Sequence, residues 1–122
     1  MNSTINQRKS YIEIGELYFW SATIKDWNHL LTEEEYKQIL VDSFAYLKGK
    51  LDVFAFVIMP NHVHAIIRIN EHNGKEKPHT SWLKFTAHAF NKKLKNTPVE
   101  LEKYKVDKSN KEYQFWQADS LA

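Results

Sequence analysis

Two apolar runs, LDVFAFVIM (residues 51–59) and HVHAIIRI (residues 62–69), are separated only by Pro60-Asn61. Pro-Asn is turn chemistry, so the second run must return beside the first as the other arm of a hairpin. The first run reads as a strand buried on both faces. The second opens with two histidines, His62 and His64. Residues two apart on a strand share a face, so the two imidazoles project side by side with Val63 and Ala65 on the other face. A buried polar ring without a partner costs about 1–3 kcal/mol, and two in succession require a common explanation. Two neutral imidazoles at this spacing can hold one divalent ion, with a third ligand from elsewhere in the fold. Ordinary packed or surface histidines have the same spacing, and spacing alone does not separate the two readings.

The flanking sequence supplies the remaining elements. IEIGELYFWSATI (residues 12–24) is aromatic and β-branched, and divides into Leu17, Phe19, Ser21, Thr23 and Tyr18, Trp20, Ala22, Ile24, which favours a strand. In TEEEYKQILVDSFAYLKGK, Thr32 and Glu35 form the pattern of a capping box. Tyr36, Ile39, Leu40, Phe44 and Leu47 then recur at helical spacing until Gly49. NEHNGKEKPH reads as a polar loop. SWLKFTAHAFNKKLKN reads as a second helix, N-capped by Ser81, with Trp82, Phe85, Ala89 and Phe90 on its apolar side, stopping before Pro98. Residues 99–111 are charged and read as loop or a short helical turn, and EYQFWQ (residues 112–117) as a last strand. The order βαββαβ predicts an α+β fold of ferredoxin-like or RRM-like type, an antiparallel sheet with both helices on one face. All 122 residues fit one domain, residues 1–122, without internal repeats.

Composition narrows the classes. With no cysteine, disulfides and cysteine-based zinc sites are excluded, and a reducing, cytoplasmic setting is expected. MNSTINQRKS is polar and lacks the pattern of a signal peptide, and no apolar run approaches the roughly 18 residues of a membrane span. The net charge of +2 says little about partners, but KFTAHAFNKKLK (residues 84–95) concentrates Lys84, Lys92, Lys93 and Lys95 with no acid. These lysines suit a phosphate backbone, and equally an ordinary solvated helix face. Trp20, Trp27 and Trp116 can stack bases. Trp20 and Trp116 fit a core better, and Trp27 is expected to be exposed. His29, His72 and His79 lie in loop-like settings and receive no role.

The string MPNHVH between apolar strands resembles the HUH signature of the single-tyrosine HUH transposases. These are the small transposases of insertion sequences and the REP-associated tyrosine transposases. The resemblance extends to the aromatic first strand, the long amphipathic helix, the basic helix SWLKFTAHAFNKK and the late Trp116-Gln117 pair. It implies a DNA transposase that cuts and rejoins single-stranded or hairpin DNA as a homodimer. His62 and His64 would hold Mg²⁺ or Mn²⁺ on the scissile phosphate, and a tyrosine would form a covalent 5′-phosphotyrosine.

In that family the tyrosine sits in a Y-I-x-x-N or Y-I-x-x-Q pattern on a helix after the last strand. Here QADSLA occupies that place, and no match appears elsewhere. Tyr113 belongs to the expected strand and Tyr104 to the charged segment. The resemblance therefore implies a transposase cut short before its tyrosine helix and inactive alone. One alternative is a binding module derived from a transposase, gripping DNA with catalysis lost. Another is an unrelated metal-dependent hydrolase, which would need an acid nearer the hairpin than Asp52 or Glu71.

Overall fold

A computed structural model describes residues 13–118. Three antiparallel strands, β1 (Leu17–Thr23), β2 (Leu51–Met59) and β3 (His62–Ile69), form a sheet in the order β1-β3-β2. Two helices cover one face, α1 (Glu34–Tyr46) and α2 (Pro78–Leu94). A short helix, α3 (Pro98–Glu102), precedes a separate ribbon of β4 (Lys105–Lys108) and β5 (Lys111–Tyr113). The expected α+β, ferredoxin-like arrangement is the one observed. The polar stretch MNSTINQRKS and the last four residues lie outside the described residues.

The period of two in β1 and β3 decides which side is covered. Trp20, Ala22 and Ile24 are buried, as are Val63, Ala65, Ile67 and Ile69. Above them Trp82 of α2 is fully enclosed. It stands edge-on to Trp20 at 5.2 Å, stacks on Phe44 of α1 at 4.9 Å and lies 5.3 Å from Trp116. Its indole N–H donates to the Leu40 carbonyl (3.2 Å), tying α2 to α1. One side chain thus joins both helices to the sheet, and truncating such a tryptophan to alanine costs about 3–5 kcal/mol. Trp20 and Trp116 are core residues and Trp27 is 62% exposed, as the sequence suggests.

Several expectations are corrected. β2 is not buried on both faces: beyond Leu51 it is largely open, with Phe54, Phe56, Val57 and Met59 exposed. A fully apolar strand is enclosed only when layers cover both faces. This sheet has one helical layer, β2 lies at its edge, and a register shift between Val53 and Ala55 disturbs its pairing. The Thr32–Glu35 capping box does not form. Leu30 and Leu31 are buried in a 3₁₀ turn that absorbs Thr32, so the N-cap of α1 is Glu33, without a side-chain cap bond. Ser81 is not an N-cap either. Pro78, whose fixed φ suits the first helical turn, starts α2 three residues earlier. Ser81 is therefore interior, its hydroxyl donating to the Glu76 carboxylate (2.5 Å) and accepting from the Asn73 amide (2.9 Å).

The expected last strand divides. Lys111–Tyr113 pairs with β4, which folds the charged segment into a ribbon. Phe115–Gln117 instead returns to the main sheet beside β1. Lys25 N–H donates to the Phe115 carbonyl (2.8 Å), Gln117 N–H to the Thr23 carbonyl (2.7 Å), and Ile24 bridges Trp116. Trp116 is thereby drawn into the core, where its N–H donates to the Thr86 hydroxyl at 2.9 Å.

His79, on the first turn of α2, is 3% exposed and meets Trp20 edge-on at 5.7 Å, and its Nδ1 has no partner. Burial, with a smaller contribution from Lys77, lowers its pKa from 6.5 to about 4. The neutral ring is favoured in the fold, so stability is fully present above pH 6.5 and falls as pH drops towards 4. By the size of the shift the loss is about 3 kcal/mol. Thermal melts of wild type and His79→Gln across that window should converge towards low pH, and parallel curves would refute the assignment.

Candidate functional site

The helices leave the other face of the sheet open. Because Val63, Ala65, Ile67 and Ile69 point into the core, His62, His64, Ile66 and Arg68 point outwards, flanked by Leu17, Phe19, Ser21 and Thr23 of β1. Residues opposite in register share a face, so Met59, Val57 and Ala55 of β2 complete it across from His62, His64 and Ile66. The two imidazoles lie side by side, ring centroids 4.7 Å apart and nearly perpendicular at 74°.

Each ring is fixed through the same nitrogen. Asn61 Oδ1 lies 2.7 Å from His62 Nδ1, and Ser21 Oγ lies 2.6 Å from His64 Nδ1. In the tautomer that donates from Nδ1, each ring keeps a lone pair on Nε2. Phe19 stacks on His64 at 5.3 Å and 21°, bracing the ring from the strand side. The turn beneath is held as well. The Asn61 carbonyl accepts from Ile24 N–H (2.8 Å) and the Pro60 carbonyl from Leu31 N–H (2.9 Å). Between these anchors Asp26 and Trp27 both have φ of 55°. Left-handed backbone at two successive non-glycine residues costs of order 1–3 kcal/mol each.

The donor set suits a divalent cation through two imidazole nitrogens, with its remaining positions left to oxygen ligands such as water or phosphate. No group of three or more His, Cys, Asp or Glu side chains that could hold a metal occurs among the described residues. Asp52 is not such a ligand. It pairs in register with Arg68, six residues along β3 from His62, which is about 20 Å of strand. Its carboxylate is 2.7 Å from the Arg68 guanidinium, and hydrogen bonds from Asn70 and Arg68 hold its pKa below the usual range. That guanidinium also lies 5.0 Å over the Phe54 ring.

Neither tyrosine weighed from the sequence joins the pair. Tyr104 is buried against Phe115, and burial pushes its pKa up to about 12. Tyr113 lies on the ribbon beside α2. The four lysines, three on α2 and Lys95 at its C-cap, are not gathered at one place. Lys93 faces α1 and pairs with Glu35 (3.1 Å), and Lys84 pairs with Glu76 (2.7 Å). Lys92 and Lys95 border a hollow with His88 and Asn91.

Sequence reasoning did not assign roles to Ser21, Asn61 or Phe19. The signal for Asn61 was its position beside His62. Ser21 and Phe19 become visible only through the register that sets Ser21 opposite His64.

No protein-family model matches the chain, and no curated protein sequence matches it. In three dimensions it is similar to a solved structure described as "Structure of the REP associates tyrosine transposase bound to a REP hairpin". The TM-score is 0.56 at 20% sequence identity, over 88% of this chain and 55% of the other. The chain spans about half the length of that protein, and the likeness establishes a shared fold.

If Asn61 and Ser21 orient the two rings, Asn61→Ala and Ser21→Ala should each weaken Co²⁺ binding about 10–100-fold, the usual effect of removing a group that orients a metal-binding histidine. Isothermal titration reads this directly, and affinities equal to wild type would remove both residues from the site.

Proposed function

We propose that this chain is a transposase-like DNA-binding protein that uses His62 and His64 to hold a divalent cation against a phosphate of single-stranded or hairpin DNA. The observation that supports it most is the matched hydrogen bonding of both Nδ1 atoms on the open face, on two rings whose centroids lie 4.7 Å apart. Histidines present only for packing have no need of that arrangement. The fold shared with a transposase bound to a DNA hairpin supports the same substrate class.

Bound there, a divalent ion supplies Lewis-acid polarisation of the phosphate. The residues of the chain orient the two nitrogens, and Phe19, 71% exposed, offers a ring beside them on which a base can stack. Mg²⁺ prefers all-oxygen shells, so of the two ions the resemblance implies, Mn²⁺ suits this pair better, and affinity should rise from Mn²⁺ through Co²⁺ to Ni²⁺.

Strand cleavage and rejoining through a phosphotyrosine belongs to the proposal only with a nucleophile supplied by another polypeptide. The residue Tyr104 is buried and its hydroxyl strongly disfavours ionisation. A second copy of the chain is the partner we propose for the assembly. The uncovered apolar side chains Leu17, Ile66 and Val57 support a protein contact on this face. A module that grips DNA without a metal is the competing reading. No helix among the described residues is long and apolar enough to cross a membrane.

Wild type should bind Mn²⁺, and His64→Ala should lose most of that affinity while remaining folded, since His64 lies outside the core. Equal Mn²⁺ affinity in the variant leaves only the metal-free module. With single-stranded DNA and Mn²⁺, the chain alone should give no covalent adduct on a denaturing gel. An adduct would place a working nucleophile within these 122 residues.

A further inference from the structure

Away from the histidines, a groove of about 330 Å³ runs between α2 and the β4–β5 ribbon. Lys84 enters it from the helix and Lys108 and Lys111 from the ribbon, over a floor that includes Leu83 and Trp116, and no acidic residue lines it. Lys108 donates to Gln114, a neutral partner, at 2.8 Å, and Lys111 has no ion pair among the described residues. Along α2 the basic line continues from Lys84 to His88, Lys92 and Lys95, four, eight and eleven residues on and therefore close to one face of the helix. A second hollow of about 280 Å³ lies among the last three and Asn91, whose buried Oδ1 has no partner.

A line of this kind suits an extended polyanion better than a small anion. Eleven helical residues span about 16 Å, which is the rise of about five base pairs. Solvated lysines spread over that distance meet repeated charges, whereas one small anion would engage only one or two of them. The chemistry also separates duplex from single strand. Binding of single strands depends on exposed aromatic faces for base stacking. Here Phe115 and Trp116 lie buried beneath the groove and Tyr113, its third aromatic, is partly buried against the core, so the surface offers mainly contacts to the backbone.

We propose that the groove and this face of α2 together hold the phosphate backbone of a double-helical DNA stem, on the helical side of the sheet and apart from the histidine pair. The proposal rests on the DNA-binding reading above and extends it to Lys108 and Lys111. Lys84, already paired with Glu76, contributes less than either.

Binding of the full chain to a fluorescent DNA hairpin and to an unstructured single strand of equal length, measured from 50 to 200 mM salt, tests this. Each phosphate contact contributes about 0.9 to the slope of log K against log salt, so Lys108→Ala/Lys111→Ala should flatten the hairpin slope by about 1.8. Lys92→Ala/Lys95→Ala, which leaves the ribbon untouched, should do the same, and Lys48→Ala, at an exposed residue just beyond α1 that lines neither hollow, should leave the slope unchanged. The single-strand slope should change little in any variant. Wild-type hairpin slopes in both double variants overturn the stem site while leaving DNA binding intact. Equal losses on the single strand overturn the assignment to duplex. Failure of wild type to bind either DNA overturns the underlying DNA-binding reading, and the stem site with it.

Discussion

The burial of Val63, Ala65, Ile67 and Ile69 along one face of β3 is the constraint on which the site depends. β3 is the central strand, bonded on both sides, so it can neither slip nor rotate without breaking two ladders. A shift of one residue would turn four apolar side chains into water and drive His62, His64 and Arg68 into the core. At about 1.5–3 kcal/mol for each large apolar side chain exposed, that alternative is closed. The outward position of the histidines is thus enforced by what lies behind them.

Position alone does not make two imidazoles act together. Their orientation comes from neighbours on three different segments: Ser21 on β1, Asn61 in the turn and Phe19 against the ring of His64. The turn is itself clamped by backbone bonds from Ile24 and Leu31, which flank the two left-handed residues Asp26 and Trp27. The buried Leu31 and Ile24 anchor this loop in the core, so its strained backbone is over-determined by packing on both sides. Rigidity at the histidine end of the sheet is therefore built from the core outwards.

The single helical layer explains the division of surfaces. Trp82 gathers β1, α1, α2 and Trp116 on one side of the sheet, leaving the other to Leu17, Phe19, Val57 and the histidines. The outer side of α2 and the ribbon then gather the lysines. The histidine pair and Phe19 thus lie on one side of the sheet, and the lysines of α2 and the ribbon away from it on the helical side.

The amino-acid order alone determined the hairpin around Pro60-Asn61, the two long helices, the βαββα succession and the shared face of His62 and His64. These follow from periods of two and 3.6 and from turn chemistry, all local properties of the chain. It did not determine the openness of β2, because an apolar run reports what could be buried and not how many layers exist to bury it. Nor did it give the start of α2, where Pro78 prevailed over a serine cap, or the division of residues 111–117 between two sheets. The bonds from Ser21 and Asn61 to the two rings, the separation of Lys93 from Lys92 and Lys95, and the groove beside Lys108 and Lys111 were decided by tertiary structure. Each depends on residues far apart in sequence meeting at a fixed register, and strand pairing and helix docking alone set that register.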